Sequence, residues 1–168
     1  MVKSVDKKKL SLRPVNKQDF STIEVWLNKD YIKKWYGEPS EWMLEIRNDS
    51  GNFDWLNHYI VLYQDMPIGF CQYYDCSKTS AGFEWDSEPQ GTFCIDYLIG
   101  QDAFLKKGLG SVIVQQLCRL VCTLEDPVQI IADPVPENID SIKLLEKNGF
   151  TLDPITGLYK IKTEKLKR

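Results

Sequence analysis

The hydrophobic and polar positions in the second half of the chain predict strands and helices in alternation. Residues 92–99 are apolar and rich in β-branched and aromatic side chains, which is typical of a strand. An amphipathic helix is predicted to open at residues 106–110, with apolar residues at helical spacing on Val114, Leu117, Val121 and Leu124. A buried strand at 128–132, a helix at 140–148 ended by Gly149, and strands at 150–152 and 158–161 complete this half.

The first half of the chain predicts antiparallel strands and short helices. Asn16 and Asp19 form a helix-start signal, and Ser40 is typical of a helix N-cap. Strands are predicted at 10–14, 59–63 and 68–74, the last two as a hairpin, and helices at 20–27, 30–35 and 41–47. Antiparallel strands followed by a strand–helix–strand–helix–strand unit indicate a mixed α/β sandwich rather than a doubly wound sheet.

Length and composition are those of one ordinary folded domain. The chain has 168 residues, of which 43% are hydrophobic and 27% charged. We therefore expect a single domain over residues 1–168, with basic tails at 1–9 and 163–168. We find no secretory signal and no apolar run long enough to span a bilayer, and expect a cytoplasmic protein. The five cysteines form no CxxC pair and His58 is the single histidine, so we expect no metal site.

The charge of the chain is unevenly distributed. The net charge is −3, but the basic ends at 1–9 and 160–168 carry +7, which leaves −10 for residues 10–159. A body this acidic repels nucleic acid and anionic membranes and attracts cations, unless the acidity serves solubility alone. Several of the acids lie in residues 75–91, which we interpret as a long loop or flap, and loops of this length are commonly functional.

The sharpest local signal is the turn Lys106-Lys107-Gly108-Leu109-Gly110-Ser111 between the strand 92–99 and the long helix. Its two glycines leave the backbone N–H groups of residues 107–110 bare at a helix N-terminus, where they and the lysines can bind a pyrophosphate. Tight packing of the helix on the strand is the alternative explanation for the glycines. Neither GxGxxG nor GxxxxGKS/T is present, so no Rossmann or Walker site is indicated.

Later segments connect this turn to a known family. The strand 128–132 leads into Asp133-Pro134-Val135-Pro136-Glu137-Asn138, and the next helix ends in Asn148-Gly149-Phe150. With the glycine turn, this order resembles the GNAT superfamily of acetyltransferases. The segments 26–28, 35–37, 67–74, 95–99 and 133–138 are also similar, in order and spacing, to the aminoglycoside 6′-N-acetyltransferases. The match runs from about residue 12 to residue 161.

The resemblance implies an α+β fold of the GNAT type. Its central, mostly antiparallel twisted sheet is expected to be splayed at the acetyl-CoA site and flanked by helices on both faces. Acetyl-CoA is implied as co-substrate, with its pyrophosphate on the glycine turn and its pantetheine arm along Asn138 and the splayed strands. The implied coenzyme-binding residues are Leu98, Ile99, Lys106, Lys107, Gly108, Leu109, Gly110, Ser111 and Asn138.

The implied reaction moves an acetyl group to a primary amine, with the 6′-amine of an aminoglycoside-like polycation as acceptor. Asp96 is the candidate base, because a carboxylate in an apolar strand is costly unless it is used. Capping of a nearby turn by Asp96 is the alternative. The acidic flap fits a small cationic substrate, and the implied acceptor-binding residues are Tyr36, Gln72, Trp85, Asp86, Glu88, Asp96 and Asp133.

One position departs from the family pattern. Leu145 stands where many relatives carry a tyrosine that can protonate the departing thiolate, and Tyr97, Tyr159 and Ser141 are the open substitutes. Two other functions are weighed: acetyl transfer to a peptide, protein or other polyamine amine, and a coenzyme A-binding module without catalysis. We expect no nucleic-acid or membrane partner, and either a monomer or a homodimer.

Overall fold

The computed structural model describes residues 4–167, which form a seven-stranded sheet with helices on both faces. The outermost residues of the two predicted basic tails, 1–3 and 168, lie outside the described range. The strands are β1 (Leu10–Pro14), β2 (Leu56–Tyr63), β3 (Met66–Asp75), β4 (Thr92–Ile99), β5 (Gln129–Ala132), β6 (Thr151–Leu152) and β7 (Tyr159–Lys162). The helices are α1 (Phe20–Leu27), α2 (Asp30–Tyr36), α3 (Pro39–Arg47), α4 (Leu109–Leu124), α5 (Ile139–Lys147) and α6 (Thr163–Leu166).

The strand order is β1-β2-β3-β4-β5-β7-β6, and within the described residues only β4 and β5 are parallel neighbours. The prediction of a mixed, mostly antiparallel sheet is confirmed. One helix start differs from the prediction, since α3 begins at Pro39 with Glu38 as N-cap instead of using Ser40. Proline suits the first helical position, because the N–H that it lacks has no partner within the helix.

The sheet opens between its two parallel strands. β4 pairs with β3 from Phe93 to Ile99, but with β5 only over Thr92–Cys94, opposite Gln129–Ile131. β5 ends at Ala132, so the second half of β4 has no strand partner on that edge. This gap is the splay that the family resemblance implies.

Each face of the sheet is covered by its own set of helices. On one face α4 contributes the fully buried Ile113, Leu117 and Val121. The predicted apolar stripe is confirmed for Val114, Leu117 and Val121, but Leu124 at the end of the helix is 55% exposed. On the other face Ile23 and Trp26 of α1 pack, together with α2 and α3, over β2, β3 and β4. No helix among residues 4–167 is long and apolar enough to cross a membrane. In the same range no group of three or more His, Cys, Asp and Glu side chains is placed to hold a metal ion.

The close pairing of β3 with β4 depends on the glycine at position 69. A Cβ built on Gly69 would overlap the backbone carbonyl of Leu98, and a strand backbone cannot move aside as a side-chain tip can. We expect Gly69→Ala to lower the free energy of unfolding by about 1–3 kcal/mol, the usual cost of overpacking. Chemical denaturation measures this change. In the control Gly110→Ala the new Cβ meets only the Leu144 side chain, which can rotate, so equal losses in the two variants would contradict the explanation.

Candidate active site

Three polar side chains lie in a row across the middle of the sheet. His58 of β2, Gln72 of β3 and Asp96 of β4 are direct cross-strand partners. The amide Nε2 of Gln72 donates a hydrogen bond to Asp96 Oδ2 at 2.9 Å. Burial lowers the pKa of His58 to about 4, so this imidazole is neutral at physiological pH. The row therefore presents one ionisable carboxyl, Asp96, held from behind by an amide.

The environment of Asp96 makes it a proton acceptor at physiological pH. Burial raises its pKa from an ordinary 3.8 to about 6, the Gln72 hydrogen bond opposes that rise, and the Asp133 carboxylate adds to it. A carboxyl with this pKa is mostly ionised at pH 7 and still basic enough to take a proton. Groups tuned in this way are typical of catalytic acids and bases.

A cavity of about 170 Å³ lies in the gap between β4 and β5, and we call it the strand-gap channel. Asp96 and Tyr97 line it from β4, while Asp133 and Asn138 line it from the loop between β5 and α5. Its remaining walls are mainly aromatic and apolar: Trp35, Tyr36, Trp42, Ile95, Ala132, Pro134, Val135, Ser141 and Leu145.

A second cavity, of about 450 Å³, lies on the side of α3 and the flap, and we call it the acidic cleft. Its carboxylates are Glu41, Glu45, Asp96 and Asp133. Its aromatic walls are Trp42, Phe53, Trp55, Tyr74, Phe83 and Trp85. Charge and aromatic surface of this kind suit a polar cation with apolar faces. Asp96 and Asp133 line both cavities, so the two spaces meet at these carboxylates.

The glycine turn has the backbone geometry of an anion site. Gly108 is the N-cap of α4 with φ of +77°, a conformation that favours glycine, and the preceding Lys106 also has positive φ. A Cβ on Gly108 would lie 3.2 Å from Nζ of Lys7, and one on Gly110 would overlap Leu144. The helix N-terminus and the Lys7 ammonium thus form a positively charged site. Its two glycines have no side chain that would block the backbone, so the site fits a diphosphate.

The open edge of β4 is only partly satisfied by the protein. The Tyr36 hydroxyl donates to the carbonyl of Tyr97, and the Tyr31 hydroxyl donates to that of Ile99 at 2.8 Å. The carbonyl of Leu98 lies against Gly69 of β3. Because backbone groups alternate along a strand, the N–H groups of Tyr97 and Ile99 face the gap. The Ile99 N–H therefore remains a candidate to bind the coenzyme. The backbone groups of Leu98 face β3 instead, and the Tyr97 N–H takes the place of the Leu98 N–H on the open edge.

Comparisons with known proteins agree with this geometry. A family profile described as acetyltransferase (GNAT) domain matches residues 15–156. The chain belongs to the GNAT acetyltransferases. The aminoglycoside N(6′)-acetyltransferases type 1 of Klebsiella pneumoniae and Serratia marcescens are each 28% identical over 148 residues, or 84% of this chain and 73% of theirs.

Solved structures extend the likeness. The crystal structure of the aminoglycoside acetyltransferase AAC(6′)-Ib in complex with coenzyme A and kanamycin matches with a TM-score of 0.84 at 25% identity, over 95% of this chain and 98% of that one. The aminoglycoside N(6′)acetyltransferase from Legionella pneumophila, at 16% identity and a TM-score of 0.70 over 95% of both chains, shares the fold. The family and the GNAT fold expected from the sequence are confirmed.

Three of the residues predicted for the site of this GNAT acetyltransferase are engaged elsewhere. The Asp86 carboxylate accepts from the N–H groups of Gly82 and Phe83, and so closes a turn of the flap. Glu88 pairs with Lys160 and accepts from Gln129 at 2.7 Å. Neither carboxylate lines the acidic cleft, because both are used to fold the flap. The Ser111 hydroxyl donates to the Asn148 side chain and also accepts from it, so only its backbone N–H belongs to the glycine turn.

Several of the other predicted residues line the two cavities, and the structure adds lining residues that sequence reasoning missed. Tyr36 and Asn138 line the channel, and Gln72 and Trp85 line the acidic cleft. Trp85 is buried in a small cluster with Tyr74 and Leu158, and its ring stacks on Phe83 with ring centres 4.6 Å apart. The missed residues are Lys7, Glu41, Trp42, Glu45 and Trp55. Glu41 and Glu45 are one turn apart, a spacing that could have indicated a shared helix face.

The raised pKa of Asp96 makes a prediction about stability. Between pH 4 and 6 the folded protein holds a proton that the unfolded chain has released, so the free energy of unfolding should fall as pH rises through that window. We expect Asp96→Asn to remove this loss and to be more stable than wild type at pH 7 by about 1–3 kcal/mol. Denaturant unfolding at pH 4 and pH 7 measures the difference.

Asp153→Asn is the matched control. Lys160 holds the pKa of Asp153 down to about 2, so its stabilisation is present above its unfolded pKa and is lost as pH falls through the folded value. We therefore expect no gain at pH 7 from this variant. A gain of similar size in both variants would mean that removing any acid stabilises the protein, and would contradict the role of Asp96 burial.

Proposed function

We propose that this protein transfers an acetyl group from acetyl-CoA to the 6′-amine of an aminoglycoside or a closely similar polycation. The observation that carries the proposal is the position of Asp96, whose carboxyl lines both the strand-gap channel and the acidic cleft. A thioester in the channel and an amine in the cleft would meet beside this one carboxylate. We also propose that residues 1–168 form a single domain.

The coenzyme is held by backbone more than by side chains. The N–H groups of residues 107–110, with Lys7, Lys106 and Lys107 near them, would bind the pyrophosphate at the N-terminus of α4. Asn138 and the N–H groups of Tyr97 and Ile99 would contact the pantetheine arm along the open edge of β4. When bound, acetyl-CoA supplies the acyl group as an activated thioester.

Asp96 handles the proton of the acceptor. An ammonium cannot attack a carbonyl, so an amine that binds as a cation must first lose a proton. The ionised Asp96 takes that proton directly or through one water, and the Gln72 amide keeps the carboxylate oriented while it does so. Backbone N–H groups at the open edge of β4 stabilise the negative charge that develops on the thioester oxygen.

The acidic cleft selects the acceptor by charge and shape. Single exposed ion pairs contribute only about 0–1 kcal/mol, so useful affinity for a cation requires several carboxylates around it. Glu41, Glu45, Asp96 and Asp133 provide four, between aromatic walls that pack on sugar rings. The names of the relatives, aminoglycoside N(6′)-acetyltransferases, support the same acceptor class.

The decisive assay is thiol release from acetyl-CoA with kanamycin as acceptor. We expect turnover above the background without enzyme, and a kcat/KM that rises with pH to a plateau above about 6, as Asp96 ionises. Asp96→Asn should lower kcat/KM by about 10²- to 10⁴-fold. Background rates with kanamycin would reject the aminoglycoside, and turnover with spermidine or a lysine peptide instead would favour a different amine. An unchanged kcat/KM in Asp96→Asn would reject Asp96 as the base.

Glu45 provides a test of the cleft. Burial raises its pKa, with contributions from Asp96 and Glu41, which places its carboxyl in the same field as the proposed base. We expect Glu45→Gln to raise KM for kanamycin about threefold, with little change in KM for acetyl-CoA, and added salt should shrink the effect. Initial rates at two ionic strengths measure it. The control Glu164→Gln removes the same charge from α6, away from the cleft. An equal rise in KM for kanamycin in this variant would mean that the effect comes from net charge alone.

A further inference from the structure

Acetyl transfer to an amine leaves a thiolate in the strand-gap channel, and this step rests on the proposed function. The carboxyls of Asp96 and Asp133 line this channel, so a further negative charge on sulfur is disfavoured there. Among the described residues that line the channel, hydroxyl groups belong to Tyr36, Tyr97 and Ser141. Leu145, which is fully buried and apolar, has no proton to give.

The hydroxyl of Tyr36 already donates a hydrogen bond within the protein. Its hydroxyl donates to the backbone carbonyl of Tyr97, and its own carbonyl accepts from the Trp42 indole at 2.8 Å. The single hydroxyl proton of Tyr36 is therefore used to pair the Tyr97 carbonyl on the open edge of β4. A hydroxyl that gave this proton away would leave a buried carbonyl without a partner.

Tyr97 is placed differently. Side chains alternate along a strand, so Tyr97 lies on the face of β4 opposite to Asp96, where it packs with the core beneath α4 and α5. Its hydroxyl lies 2.8 Å from Oγ of Ser141, in the first turn of α5. The Ser141 backbone N–H is in turn capped by Asn138. The Tyr97 hydroxyl thus reaches the channel from the coenzyme side and has a second hydroxyl beside it.

We propose that Tyr97 is the general acid of the reaction and that Ser141 restores its proton. As the bond between the amine nitrogen and the acetyl carbon forms, the carbon–sulfur bond breaks and its electron pair passes to sulfur. Tyr97 donates its hydroxyl proton to that sulfur. Asp96 has by then passed the ammonium proton to solvent through the acidic cleft, and it takes the second proton that the nitrogen loses as the amide forms. Ser141 then donates to the phenolate and is itself reprotonated from solvent, which closes the proton balance.

The protonation state of Tyr97 fits this role. Burial raises the pKa of Tyr97 to about 12, the Ser141 hydrogen bond opposes that rise, and Asp96 adds to it. The hydroxyl therefore holds its proton at neutral pH and is available as a donor when the sulfur becomes charged. A free thiol ionises at about 8.5, but the Asp96 and Asp133 carboxyls that line the channel disfavour a second negative charge there, which favours proton transfer to the sulfur. Tyr159, the third substitute that the sequence left open, packs in the core beneath α4 and does not line the channel.

The kinetic experiment compares Tyr97→Phe with Tyr159→Phe, which removes the same atom from a tyrosine outside the channel. We expect Tyr97→Phe to lower kcat with kanamycin about 10- to 100-fold, the modest end of general acid catalysis because a thiolate is a fair leaving group. KM for acetyl-CoA should stay within about twofold. Ser141→Ala should give a smaller loss of kcat, and Tyr159→Phe none. An unchanged kcat in Tyr97→Phe would overturn the assignment.

A titration of bound coenzyme A tests the same contact without turnover. A hydroxyl that donates to sulfur favours the thiolate, so the thiol in the wild-type complex should ionise at lower pH than in the Tyr97→Phe complex. Ultraviolet thiolate absorbance should show a midpoint at least about one pH unit higher in the variant. Equal midpoints would overturn the proposal. Wild-type protein that acetylates no amine but shows this difference would reject the proposed acceptor and retain Tyr97 as the sulfur partner.

Discussion

The site depends on one interruption in the sheet, the loss of pairing between β4 and β5 beyond Cys94. Buried backbone N–H and C=O groups require partners, so an unpaired strand edge inside a domain is unstable unless something covers it. The protein covers two carbonyls, of Tyr97 and Ile99, with hydroxyls from α2. It leaves the remaining edge to a ligand that can itself bond like a strand. The amide-bearing arm of a coenzyme meets that requirement.

The same interruption explains why a carboxyl can be kept in the middle of the sheet. Asp96 borders the gap and so borders both cavities, which leaves it partly hydrated yet surrounded by buried neighbours. The cost of its charge is only partly offset by Gln72. Behind that amide, Gln72 Oε1 and His58 Nε2 are buried atoms without hydrogen-bond partners among the described residues. Such unsatisfied groups lower the stability of the fold. Their concentration around one carboxyl is typical of a functional site, where activity is kept at some loss of stability.

Sequence reasoning predicted those parts of the candidate site that are local in the chain. The glycine turn, Asn138 and Asp96 each lie in a short segment whose own geometry fixes their position. The flap carboxylates Asp86 and Glu88 were misassigned because composition shows charge but not its partner. Their partners are the flap backbone in one case and Lys160, distant in sequence, in the other. Glu45 was missed for the converse reason, since only the packing of α3 over the sheet turns it toward Asp96.

The two faces of β4 give the proposed proton transfers a common origin. Adjacent residues of a strand point in opposite directions, so a base at position 96 and a hydroxyl at position 97 necessarily flank whatever lies along the open edge. In the proposed mechanism the carboxyl serves the amine and the hydroxyl serves the coenzyme, and the two side chains start from adjacent Cα atoms. A hydroxyl supplied from α5 would instead depend on how that helix packs. A strand that carries both groups leaves position 145 free to be leucine, which completes the core under α5.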